Sequence, residues 1–313
     1  MRLSFEQIKS VTFGALWMEQ NGENIAFHKC TAAQEAAWHA LSATLGTRAE
    51  TTTGIRLDFH TDAKTLKVGT ADGDKYEVYI NGLSRYRVHA TEYRERGECL
   101  AFDLGEGEKR VTLILPSHGK GVLTSVELDD GATLIPHEFA CRMLFIGDSI
   151  TQGWNARYDS LSFAWRLTNY FDANSVIQGV GGAYYHETTL DRIDFDPDTV
   201  VIAYGTNDFG HFATLDEMHL HTARFLDGIA EQFGSKRVFV VTPIYRADWQ
   251  KPKRMGSFAE ACALVAEEGK RCGFTVIDGQ ELVPHNDDFM ADALHPNDLG
   301  FGVYAQNMIK KML

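Results

Sequence analysis

The chain has 313 residues, 44% hydrophobic and 23% charged, and its 30 Lys and Arg against 43 Asp and Glu give a formal net charge of −13. That length is about twice that of one domain, so two domains are expected, and the acidic balance argues against nucleic acid or an anionic membrane surface as the main partner. Apolar runs are strand-sized, as in Val238–Val241, far short of the ~20 residues of a membrane span.

The opening segment, MRLSFEQIKS, has no basic start followed by a long apolar stretch, so no secretory signal is expected. Cys30, Cys99, Cys141, Cys262 and Cys272 are odd in number, widely spaced and without a Cys-x-x-Cys pair. Reduced thiols in a cytoplasmic protein fit this better than a disulfide framework or a zinc site. Residues 1–135 read mostly as short strands. Thr31–Leu45 resists that reading; it is Ala-rich and reads as a helix or an irregular segment. Gly54–Thr61 alternates, with Ile55, Leu57 and Phe59 on one face and Arg56, Asp58 and His60 on the other. Lys75–Ile80 and Leu83–Val88 flank Asn81-Gly82, a hairpin signal because both residue types accept positive φ. Cys99–Leu104, Arg110–Leu115 and Val122–Leu128 are further strand candidates, separated by Gly-rich turns. Regular short strands of this kind predict an all-β sandwich.

From about Cys141 the pattern becomes strand–helix alternation. Strands are expected at Arg142–Ile146, Asn174–Ile177, Thr199–Ala203, Arg237–Thr242 and Phe274–Ile277. Thr214-x-x-Glu217 and Ser257-x-x-Glu260 have capping-box spacing, and Gly234 and Gly273 stand where helices end. Strands buried by intervening helices predict a doubly wound parallel α/β sheet over residues 140–313. The join is Asp129–Ala140, where Asp129-Asp130-Gly131 turns and Pro136 breaks any periodicity.

Four segments hold candidate chemistry: Gly147-Asp148-Ser149-Ile150-Thr151, Gly179-Val180-Gly181-Gly182, Gly205-Thr206-Asn207-Asp208 and Asp292-Ala293-Leu294-His295-Pro296. The first three follow predicted strands. With a strand order of 2-1-3-4-5 they would line the crevice where that order reverses. Ser149 is a poor nucleophile at its free pKa and needs a base. His295 is the candidate, and Asp292, three residues earlier, can hold its Nδ1–H and leave Nε2 for Ser149. An oxyanion would need donors: the N–H of Gly182, the amide of Asn207 and the N–H of Ser149 itself. Asp148 and Asp208 read as structural acceptors for loop backbone, Gly179 and Gly181 as turn glycines, and Thr151 and Gln152 as organisers of the turn after Ser149.

Those four blocks, in that order, resemble the SGNH (GDSL-type) hydrolases over roughly residues 140–313. The resemblance implies a flavodoxin-like sheet and a cofactor-free serine esterase. The four invariant letters of that family would fall on Ser149, Gly182, Asn207 and His295, and Asp292 would complete the triad. A sandwich ahead of such a domain is similar to bacterial two-domain members, several of them carbohydrate O-acetyl esterases. The implied substrate is a small acyl ester, acetyl above all, of a small molecule or an oligosaccharide. One departure is Gln178, where many members carry an Asn before the second block; it bears on the choice among Gly179, Gly181 and Gly182.

His211, His219 and His221 suggest a metal, but spacings of two on a helix point to different faces, so no metal is expected. No phosphate-binding glycine motif is present, so no nucleotide cofactor is expected. Trp154, Tyr184 and Tyr185 follow the catalytic segments; they either contact a sugar or pack the loops. A lipid or thioester acylhydrolase is the enzyme alternative, and a glycan-binding protein with an inert second half the non-enzyme one.

Overall fold

Asn81 and Gly82 take φ of 51° and 76° and close the hairpin of Lys75–Ile80 with Leu83–His89. Two positive φ values in succession make a turn whose twist matches the strands it joins. The hairpin extends an antiparallel sheet through Lys109–Ile114 to Arg56–Thr61, which also pairs with Thr12–Phe13 and Ile135–Pro136. A second antiparallel sheet runs Trp17–Asn21, Asn24–His28, Leu123–Leu128, Thr65–Thr70, Leu100–Asp103. Ile55, Leu57, Phe59, Leu66, Val68, Val111 and Leu113 meet between the two sheets in one core, which makes a sandwich. The computed structural model describes all 313 residues.

Three strands of the second sheet lay outside the expected set: Trp17–Asn21, Asn24–His28 and Thr65–Thr70. Trp17–Asn21 is an edge strand with Glu19, Gln20 and Asn21 exposed, so it carries no apolar periodicity to detect. The ambiguous Thr31–Leu45 resolves into Ala32–Leu41 and Ala43–Ala49. Thr31 starts the first helix through a capping box with Gln34. These helices leave the sandwich: Trp38, Leu45 and Ala49 share a core with Leu144, Ile146, Val176 and Tyr204. Antiparallel strands end at Ile135–Pro136 and parallel ones begin at Cys141–Gly147, but packing crosses that join.

The second half is a five-stranded parallel sheet in the order Ala173–Gly179, Cys141–Gly147, Thr199–Ala203, Arg237–Val241, Thr275–Ile277. Phe163–Tyr170 and Asp298–Met312 cover one face with Phe145, Ile177 and Val201 beneath them. Leu215–Phe233 and Phe258–Arg271 cover the other. Gly147 lies opposite both Gly179 and Ala203, so three strand ends stand level where the order reverses. No helix is long and apolar enough to cross a membrane.

On the polar face of Arg56–Thr61 only His60 meets solvent. Arg56 and Asp58 are each 1% exposed. Arg56 Nη2 donates to the Ala173 carbonyl at 2.7 Å, and Arg110 donates to both oxygens of Asp58 at 2.8 and 2.9 Å and to Asp172 at 2.9 Å. Up to Phe59 the alternation therefore marks two buried faces, one toward the sandwich core and one toward the parallel sheet. Arg56→Ala should lower the unfolding free energy in urea by on the order of 3 kcal/mol, because it removes one member of a buried charge cluster. A change within experimental error would show that the cluster does not join the halves.

Candidate active site

Strand Cys141–Gly147 ends in a glycine because nothing else fits: a Cβ at Gly147 would stand 2.1 Å from Thr151 Oγ1 and 2.7 Å from the Ala203 carbonyl. Asp148 then caps the short helix Ser149–Gln152, accepting from the Ile150 N–H at 2.8 Å. Ser149 is 5% exposed, with its Oγ 2.9 Å from His295 Nε2. His295 Nδ1 lies 2.9 and 3.1 Å from the two Asp292 oxygens. The same carboxylate accepts from the N–H groups of Leu294 and His295, both at 2.7 Å, and from Asn155 Nδ2 at 2.7 Å. Burial alone would raise the Asp292 carboxyl, but these donors outweigh it and hold the group below the usual carboxylate range. An ionised Asp292 keeps the proton of His295 on Nδ1 and leaves Nε2 to accept from the Ser149 hydroxyl.

The expected oxyanion donors gather at the same edge. Gly182 has φ 85°, and its N–H makes no hydrogen bond. Gly181 N–H is already given to Gln152 Oε1 at 2.8 Å, and Gly179 packs directly on the Gln152 backbone. Asn207 Nδ2 donates to the Ala183 carbonyl at 2.8 Å, which leaves its second N–H for a ligand. Gln152 also donates to the Ser117 carbonyl at 2.8 Å, so its side chain ties the N-terminal half to the glycine loop and makes no bond within the turn after Ser149.

The three aromatic candidates separate. Trp154 is half-buried, its ring 6.3 Å from that of His295 and 5.1 Å from that of His118. Tyr184 is largely buried and stacks on His211 at 3.7 Å. Tyr185 is not a substrate contact: it is 0% exposed and packed in the core between Tyr204 and Phe225. The histidines singled out in sequence also scatter. His219 meets Glu268, and His221 meets Glu187. The metal-sized group is instead His186, Glu187 and His221, where Glu187 is already engaged by His221 and Arg224.

Sequence reasoning missed Asn155, Arg48 and His118. Asn155 adopts φ 70°, a conformation Asn tolerates, to reach Asp292. Arg48 and His118 come from the N-terminal half, and only the packing of the two halves brings them to Trp154. His118 also borders a cavity of about 290 Å³ lined by Asp72, Asp74, Lys75, Arg94 and Asp159 among other polar and small residues.

A level strand edge thus carries a serine at a helix start beside a hydrogen-bonded His–Asp pair. Residues 145–303 match the GDSL-like lipase/acylhydrolase family model. The chain belongs to that family and is a carboxylic ester hydrolase. Solved structures share the fold. A salicylyl-acyltransferase from a tetracycline biosynthetic pathway superposes with a TM-score of 0.79 at 19% identity, over 96% of this chain and 93% of that one. A GDSL-like lipase from Bacteroides ovatus gives 0.75 at 16%, over 98% and 95%. A family two carbohydrate esterase from Clostridium thermocellum, solved with cellohexaose, gives 0.66 at 15%, over 84% and 92%. No curated protein sequence matches the chain.

Asp148 and Asp208 flank the site as buried carboxyls, each pushed up to about 7 by burial. Both accept from loop backbone, Asp208 from the N–H groups of Tyr185 and Gly205. A carboxyl that titrates near 4 when unfolded and higher when folded makes the folded state the stronger proton binder between those values. Stability contributed by it is present at low pH and lost as pH rises toward 7. Asp148→Asn should therefore gain melting temperature relative to the unchanged protein between about pH 5 and pH 8. A difference that is constant with pH would show that Asp148 is ionised throughout.

Proposed function

We propose that the protein hydrolyses small acyl esters, chiefly acetyl, on carbohydrate, through an acyl-enzyme on Ser149. The observation that carries this reading is the continuous line from Ser149 Oγ through His295 to Asp292. His295 Nε2 takes the Ser149 proton as Oγ bonds to the ester carbon. The carbonyl oxygen gains negative charge and is met by the N–H groups of Gly182 and Ser149 and the free N–H of Asn207. Collapse breaks the bond to the alcohol, which leaves with the proton from His295. Water repeats the sequence on the acyl-serine: His295 takes its proton, the acid departs and Ser149 Oγ recovers a proton. Asp292 stays ionised and orients the imidazole at every stage.

The carbohydrate assignment is supported by the ring beside the reacting centre and by a cavity beyond it. Trp154 offers a flat ring beside His295, and the cavity on the far side of His118, which touches none of Ser149, Asp292 and His295, is lined without hydrophobic side chains, which suits the further units of a sugar better than an acyl chain of a lipid. Residues 1–135 then act as a wall of the site and residues 140–313 as its catalytic part. The cellohexaose complex of the Clostridium thermocellum esterase shows one member of this fold holding a glucan. Five free cysteines suit a reducing compartment, where acetylated oligosaccharides would be the substrates.

Ser149→Ala should abolish turnover of p-nitrophenyl acetate while leaving the melting temperature essentially unchanged; retained activity in a folded protein would overturn the nucleophile. Asn207→Ala should lower kcat by ~10²–10³ with little change in KM, because its amide acts as oxyanion charge develops. A pure KM effect would make Asn207 a ground-state contact. Across p-nitrophenyl esters and acetylated oligosaccharides, acetate should be released fastest. Faster release of long-chain acids would favour a lipid acylhydrolase instead.

A further inference from the structure

We infer that Arg48, supplied by the N-terminal half, is a positioning residue that aims the Gly182 N–H of the oxyanion site. The inference rests on the reading of Gly182 as an oxyanion donor. Arg48 stands in the last turn of helix Ala43–Ala49, and its Nη1 donates to the Gly181 carbonyl at 2.8 Å, across 133 residues of chain. From the other side, Gly181 N–H is bound by Gln152 Oε1 at 2.8 Å. Both polar groups of one glycine are thus held, one by Arg48 and one by the helix that begins at Ser149.

The consequence follows from peptide geometry. In a trans peptide the carbonyl of Gly181 and the N–H of Gly182 lie in one plane and point in opposite directions. Holding the carbonyl toward Arg48 therefore turns the Gly182 N–H away from it. A Gly-Gly step has no Cβ on either side to oppose a flip of that peptide, so one orientation needs an outside clamp. The clamp is charge-assisted, and polarisation of the carbonyl makes the N–H on the same peptide a stronger donor.

Arg48 is itself held in place. Its guanidinium lies 5.0 Å from the centre of the Trp154 ring. The end of its helix is capped by the buried Lys29, whose Nζ donates to the Arg48 and Thr51 carbonyls, each at 2.9 Å, and to Thr51 Oγ1 at 2.5 Å. Thr51 Oγ1 accepts in turn from Gln152 Nε2 at 3.3 Å. The bond to Gly181 is the one hydrogen bond the Arg48 side chain makes, so its position serves the glycine loop and no surface ion pair.

The test uses full-length Arg48→Ala, Arg48→Gln, Arg48→Lys and Ser149→Ala proteins on p-nitrophenyl acetate. Inhibition by methylboronic acid, which becomes tetrahedral on a reactive serine, is compared with inhibition by acetamide, which stays planar. Arg48→Ala should lose ~10- to 100-fold in kcat with KM nearly unchanged, somewhat less than removal of a donor outright. Methylboronic acid should weaken by a similar factor and acetamide should not, and Arg48→Lys should recover part of both losses. If Arg48→Ala does not fold, Arg48→Gln is held to the same split. A raised KM at unchanged kcat, equal weakening of both inhibitors, or wild-type activity would overturn the inference. Turnover by Ser149→Ala would instead overturn the site reading beneath it.

Discussion

Parallel strands all deliver their carboxyl ends to the same edge of a sheet, and the register of three of them governs the arrangement of this molecule. Gly147, Gly179 and Ala203 stand level, and the loops that follow them carry Ser149, Gly182 and Asn207. Because the strand order reverses beside Cys141–Gly147, the helices after neighbouring strands leave on opposite faces and open a crevice between them. His295 and Asp292 reach that crevice on the loop before Asp298–Met312, which packs through Phe301, Tyr304 and Met308 onto the sheet. Glycine at two of the strand ends lets backbone and side chains approach at distances that a Cβ would forbid.

The N-terminal half is part of this construction. Its polar strand face, with Arg56 and Asp58, lies buried on the edge strand Ala173–Gly179. Its helices Ala32–Leu41 and Ala43–Ala49 put Trp38, Leu45 and Ala49 into the core beneath the parallel sheet. Lys29 ties the chain between Arg48 and Thr51, and that segment reaches the loop carrying Gly181 and Gly182. A sandwich joined by a flexible linker would have none of these contacts. The two halves share buried charge and buried apolar surface, and both disfavour separation.

Much of this was legible in the residues, for identifiable reasons. Thr199–Ala203 and Lys75–Ile80 are strands at their expected bounds, because β-branched or aromatic runs bounded by turn residues leave little choice. Strand–helix alternation pointed to a doubly wound parallel sheet, while the order of its strands rests on the pairing itself. Arg56 and Asp58 show the limit: period-two alternation separates two faces but does not tell which of them meets solvent. Tyr185 shows another, since its aromatic ring beside the glycine block suits a sugar contact or a core position equally, and only packing against Tyr204 and Phe225 decides. Asn155, His118 and Arg48 carry no sequence signal because their roles arise from distant chain segments meeting in space.

The central claim is that Ser149 accepts the acyl group. Rapid quenching of the enzyme during turnover of p-nitrophenyl acetate, followed by digestion and mass spectrometry, tests it directly. The account predicts one acetyl group, on Ser149, in the peptide that contains it, and no such adduct when His295 is replaced by alanine. An acetyl group on any other residue at the same rate, or turnover with no covalent adduct at the shortest times, would contradict it.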